Sequence, residues 1–142
     1  MFDEVLDIVG HAKVDLNLTF IARYAHLRAA RDKSHAENLY SLNDSDPVYG
    51  VTCMHGADEC AGNVHELCVA KYTTSSSVWW PFLQCLNSQG RDRIGTEKAA
   101  KDCAATTKID WVGSGIEACV KGPEGPRLLR ESVLHTFELG VK

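Results

Sequence analysis

The residues best able to do chemistry are six cysteines, Cys53, Cys60, Cys68, Cys85, Cys103 and Cys119, all in the last ninety positions of a 142-residue chain. Three chemistries are open to such a set: metal binding, thiol redox catalysis and a disulfide framework. Zinc modules usually bring two ligands together on a short Cys-x2-4-Cys knuckle, and the cysteines here are 7, 8, 17, 18 and 16 residues apart. A zinc site from Cys53, His55, Cys60 and His65 fits no common module, and no metal or other cofactor is expected. Dithiol redox chemistry needs two cysteines within one turn of a helix amino terminus, so that one thiol is acidified and the other resolves the mixed disulfide. No Cys-x-x-Cys pair occurs. The even count favours three intrachain bridges formed in an oxidising compartment, and the fifteen possible pairings stay open.

The densest cluster of polar and sulfur chemistry is Cys53-Met54-His55-Gly56-Ala57-Asp58-Glu59-Cys60-Ala61-Gly62-Asn63-Val64-His65-Glu66-Leu67-Cys68. A cationic imidazole at His55 would acidify a thiol at Cys53. The structural alternative makes His55-Gly56 the turn into a helix, with the imidazole hydrogen-bonded to backbone. Glu59 and Asn63 are expected to cap that helix and pin the loop before Cys53, because carboxylates suit the first turn.

These residues must be positioned by helices. Cys60, Val64, Leu67 and Cys68 recur at helical spacing and form one apolar stripe. Ser75-Ser76-Ser77 can cap a second helix carrying Trp80, Leu83, Cys85 and Leu86, provided Pro81 falls in its first turn, and Gly90 can end it. Among Trp79, Trp80 and Phe82, core packing is favoured over a partner surface. Thr96-Glu97 opens a third helix bearing Cys103. Asp110 is read as the cap of a fourth through Cys119, stopped at Gly122-Pro123. Pro126 starts a fifth, with Leu129, Val133, Leu134 and Phe137 inward and Gly140 at its end.

Upstream the pattern changes. Phe2, Val5, Leu6, Ile8 and Val9 fall at helical spacing before Gly10. Val14, Leu16, Leu18, Phe20 and Ala22 then alternate onto one face, as in a strand over about 14–23. Val48–Thr52 is its best internal partner, and residues 25–47 read as a surface loop. The expectation is a single domain over 1–142: helix plus strand in 1–24, loop and short strand in 25–52, and a disulfide-linked helical region in 53–142. Two sequons, at Asn17 and Asn43, offer glycan sites, and the alternation sets Asn17 opposite the apolar face.

The cysteine-rich segment resembles the signature of the gamma-interferon-inducible lysosomal thiol reductase (GILT) family, C-Q-H-G-x2-E-C-x2-N-x4-C. Cys53, His55, Gly56, Glu59, Cys60, Asn63 and Cys68 match; Met54 stands where the family has Gln. The flanks agree: Leu16–Ile21 is similar to the family's glycosylated second strand, and Cys85, Cys103 and Cys119 follow in the family's order. The resemblance implies a thioredoxin-like protein that reduces protein disulfides in acidic endolysosomal compartments. It also implies that the chain starts just after the family's catalytic Cys-x-x-Cys and stops before the strands that follow the helical insertion. The fold expected is therefore mainly α with a small β component (α+β), a partial thioredoxin-like fold with a disulfide-stapled helical insertion and no catalytic residue.

Two functions compete on this reading. One is a non-catalytic fragment or redox-inactive member of the thiol-disulfide oxidoreductase family. The other is a secreted, disulfide-stabilised binding, effector or immunomodulatory module built on the same helical region. A strand followed by Cys-x-x-Cys in the transcript upstream of Met1 would mark the first, and its absence the second. Either reading implies a protein partner or a disulfide-containing protein substrate and a secreted or endolysosomal location. A homodimer could cover an exposed strand edge. The net charge of −4 and pI near 5.8 supply no basic stripe for nucleic acid. No apolar run approaches the ~20 residues of a membrane span.

Overall fold

The computed structural model describes residues 18–20, 48–73 and 75–140. Five helices account for most of them: α1 Ala57–Tyr72, α2 Ser76–Ser88, α3 Glu97–Thr106, α4 Ile116–Lys121 and α5 Glu124–Glu138. None is long and apolar enough to cross a membrane. The helix expected at residues 2–9, most of the strand at 14–23 and the loop at 25–47 lie outside the described residues. Within them, Leu18, Thr19 and Phe20 carry no regular secondary structure, although Leu18 and Phe20 do pack against the core.

α1 is the axis of the domain. It packs against α2, α4 and α5, while α2 also packs on α3 and α4 on α5. Its surroundings close on nearly every side, so residues 62–69 are all buried, including the polar Asn63, His65 and Glu66. The apolar stripe Cys60, Val64, Leu67 and Cys68 is present, but it is only part of the buried surface. Phe82, Leu86, Ile116 and Leu129 complete the core with essentially no exposure. Each such side chain contributes about 1.5–3 kcal/mol of burial energy.

The bridges are Cys53–Cys60, Cys68–Cys119 and Cys85–Cys103, leaving no free cysteine. The first closes the turn before α1, the second ties α1 to α4, and the third ties α2 to α3. Polar contacts add two further ties. At the end of α1, Lys71 Nζ and the Tyr72 hydroxyl both donate to the Glu124 carboxylate at the start of α5. Between α3 and α4, Glu97, Lys101, Glu117 and Lys121 form an ion-pair network. Hydrogen bonds from Lys121 and then Lys101 hold the Glu117 carboxyl down at about 2.

Several expected details shift. Val48–Thr52 is not a strand: Val48–Gly50 is turn and bend, Gly50 has φ +70°, and Thr52 is a lone bridge residue. The inward stripe of α2 keeps the expected Leu83 and Leu86 but takes Trp79 and Phe82 in place of Trp80 and Cys85, because Trp79 sits three and four residues before Phe82 and Leu83. Trp80 and Cys85 are half-buried beside it. Pro81 lies inside α2, beyond its first turn. It is exposed there, as is Ser77, whose carbonyl it cannot satisfy. Asp110 does not cap α4. Its carboxylate accepts from Gly113 N at 2.8 Å and closes a turn, and α4 begins only after Gly115. On α5 the inward face is Gly125, Leu129, Ser132, Val133 and Thr136, leaving Phe137 55% exposed.

Candidate functional site

The turn that delivers the chain into α1 is built from the signature residues themselves. Cys53 O accepts from Gly56 N at 3.2 Å, and Gly56 continues at φ +91°, ψ −166°, a conformation open essentially to glycine alone. The Cys53–Cys60 bridge then fastens the turn to the first turn of the helix. Gly56 has no side chain with which to cap α1, and Glu59 compensates. Its Oε2 accepts the His55 backbone N–H at 2.6 Å and lies 2.9 Å from His55 Nδ1. The imidazole of His55 is thus held by a carboxylate, where a backbone partner was expected. Its neighbour Cys53 is buried and bridged, so no thiol is available to be activated.

One helical turn on, Asn63 is 7% exposed, and its Nδ2 donates to Cys53 Sγ at 3.9 Å. Cys68 faces the other way, into the bridge with Cys119. Cys53, His55, Gly56, Glu59, Cys60 and Asn63 therefore form one structural unit, and Cys68 belongs to a different contact. Asn17 and Asn43 lie outside the described residues. Among the described residues, no three His, Cys, Asp or Glu side chains converge as metal ligands would. Cys53 and Cys60 are committed to each other.

A cleft of about 510 Å³ opens beside this unit, within the size range of ligand sites. One wall carries His55, Asp58, Glu59 and Asn63 from the turn and the start of α1; the other carries Asn87 from α2 and Arg91, Asp92 and Ile94 from the loop after it. Phe20 completes the lining. Close packing at Gly62 sets the approach of the walls, since a Cβ there would meet Ile94 Cγ1 at 3.0 Å and Ile94 O at 3.2 Å.

The second wall is anchored by two buried titratable side chains that sequence reading gave no such role. Asn87 Nδ2 donates to Glu66 Oε1 at 3.1 Å, and His65 hydrogen-bonds the backbone of Ile94. Desolvation by burial raises the Glu66 carboxyl to about 8, only partly opposed by Asn87. Burial lowers His65 to about 4 against the pull of Glu97 and the Ile94 backbone. Both are therefore uncharged around neutral pH. His65 also stands edge-on to Trp111, with centroids 5.9 Å apart, and its Nδ1 has no hydrogen-bond partner. Their signal in the sequence was a His-Glu pair at mid-helix, flanked by Val64, Leu67 and Cys68.

Comparison with known proteins places the sequence in a family. The family model described as gamma interferon inducible lysosomal thiol reductase (GILT) matches residues 12–107. A protein of Carassius auratus named gamma-interferon-inducible lysosomal thiol reductase is 33% identical over 96 residues, 68% of this chain and 36% of that protein. GILT-like protein 1 of Drosophila melanogaster is 29% identical over 98 residues, 62% of this chain and 38% of that protein. The chain spans little more than a third of the length of these relatives. No solved structure matches it. The signature, its turn and the family match reach one conclusion: the chain belongs to the GILT family of thiol reductases.

Proposed function

We propose that this chain is the signature-bearing helical part of a GILT-type thiol reductase, and that by itself it does not reduce disulfides. The observation that carries the reading is the state of the sulfurs. All six cysteines are bridged, five of them are 3% exposed or less, and none lies in a Cys-x-x-Cys pair. Disulfide reduction needs an accessible thiolate and a resolving partner, and neither is offered here. The helical domain acts as a rigid neighbour of the reacting groups, carried on a thioredoxin-like fold. Its protein substrates contain disulfides. Three bridges suit an oxidising route, secreted or endolysosomal, with Asn17 and Asn43 as its glycan sites.

An insulin-reduction assay with a dithiol donor tests the reading. The rate with this chain should match the donor alone. A clearly enzymatic rate that is lost in Cys53→Ser or Cys60→Ser, with the helical signal retained, would overturn it.

A further inference from the structure

The cleft beside the signature turn is unusually mixed in its chemistry. Glu59 is turned onto His55, and the other charged side chains lining the cleft are Asp58, Asp92 and a single guanidinium, Arg91. Among the described residues, none of these three enters an ion pair. Two carboxamides, Asn63 and Asn87, also line the cleft, and each can donate to and accept from a peptide group. Asn63 is 7% exposed, and its Nδ2 makes a long hydrogen bond to Cys53 Sγ at 3.9 Å. Phe20 and Ile94 add apolar surface at the edge.

We propose that this cleft binds an extended polypeptide segment bearing a lysine or arginine side chain. Asp58 and Asp92 take the cation, and Asn63 and Asn87 bond the peptide backbone. The site deepens the thiol-reductase reading, on which it rests for the nature of its occupant: the cleft would hold a stretch of the substrate chain beside the reacting groups. Signature residues His55, Glu59 and Asn63 then share a second task besides shaping the turn, because they also form one wall.

The test uses the intact, fully disulfide-bonded chain and three fluorescein-labelled, cysteine-free peptides of one flexible scaffold, with a central Lys-Lys, Gln-Gln or Glu-Glu. Anisotropy titrations should show binding in the order Lys-Lys, Gln-Gln, Glu-Glu. The double variant Asp58→Asn, Asp92→Asn, at two exposed positions, should weaken the Lys-Lys peptide about tenfold, a loss of about 1.4 kcal/mol, and leave the Gln-Gln peptide unchanged. Side-chain amide signals of Asn63 and Asn87 should shift on titration with the Lys-Lys peptide. Butylamine at matched concentration should displace that peptide poorly; equal displacement would mean that only the cation is recognised. Equal affinity for the three peptides, an unaffected double variant, or amide shifts confined to other residues would each overturn the proposal. Association is measured without turnover, so failure of the peptide site and failure of the reductase reading are separately visible.

Discussion

Glu59 holds His55 twice, accepting its backbone N–H at 2.6 Å and its imidazole Nδ1 at 2.9 Å. Besides its disulfide bridge, the turn before α1 therefore rests on one carboxylate and one glycine. Glu59→Ala should lower stability by about 1 kcal/mol, the net worth of a hydrogen bond to a charged group at a partly exposed site. His55→Asn should cost less, because the backbone bond survives. Gly56→Val should cost about 1–3 kcal/mol. Nothing lies within 4 Å of a Cβ there, so that loss would come from backbone strain alone. Met54 is 78% exposed, and Met54→Gln should be nearly silent. Thermal melts of the four variants check the order; an unchanged melting temperature for Gly56→Val would remove glycine's part in the turn.

The bridges should be unequal in worth. Cys68–Cys119 spans 51 residues and Cys53–Cys60 only 7. On the chain-entropy account these loops correspond to about 4 and about 2 kcal/mol respectively. Denaturant titrations of the Cys68→Ala, Cys119→Ala and Cys53→Ala, Cys60→Ala pairs should rank accordingly. Thiol labelling of the unreduced, denatured chain should find no free sulfur. Two or more labelled cysteines per chain would contradict the bridging described.

α1 and α5 meet at Gly125, where an added Cβ would lie 2.5 Å from Val64 Cγ1 and 2.9 Å from Cys119 O. Gly125→Ala should therefore destabilise by about 1–3 kcal/mol, the usual cost of overpacking. Adding Val64→Ala should recover part of the loss by removing the side-chain half of the clash. If the double variant is the plain sum of the singles, the two sites are not in contact.

Stability should be level with pH over a middle window and fall on both sides. Glu66 is raised from 4.5 to about 8, so its contribution is complete below 4.5 and is lost as pH rises toward 8. His65 is lowered from 6.5 to about 4, so its contribution is complete above 6.5 and is lost as pH falls toward 4. From pH 4.5 to 6.5 the two slopes are opposite and cancel. Above 6.5 only Glu66 acts, and stability should drop by up to about 1.4 kcal/mol per pH unit. Glu66→Gln should flatten that alkaline limb and, with the opposing slope gone, extend the acid limb up to about pH 6.5. Parallel alkaline limbs for the wild type and Glu66→Gln in urea titrations would refute the assignment.

Helix positions were legible because their signals are local. Ser75 and Thr96 accept from Ser77 N and Ala99 N as cap chemistry demands, and Gly90 and Gly140 adopt positive φ at helix ends. Where local signals were ambiguous, the reading slipped. Either of two adjacent tryptophans could take the inward position on α2, and only packing selects Trp79. Asp110 looks like a helix cap because the same carboxylate-to-amide bond also closes a turn. The signature's role in shaping the entry to α1 was readable from Glu59 and Gly56. The cleft was not, since Asn87, Arg91 and Asp92 are distant in sequence and reach the signature only through the α1–α2 packing. Nor does periodicity show that α1 is surrounded, which is what makes Asn63, His65 and Glu66 buried.

The Cys85–Cys103 bridge lies wholly inside the loop closed by Cys68–Cys119. A single peptide-bond cut anywhere between Cys68 and Cys119 therefore leaves both pieces covalently joined, and a cut between Cys85 and Cys103 leaves them joined twice. In a protease-rich compartment the span from Cys68 to Cys119 can be nicked without shedding mass. Such damage would be invisible on a non-reducing gel and would appear only once the sulfurs are reduced.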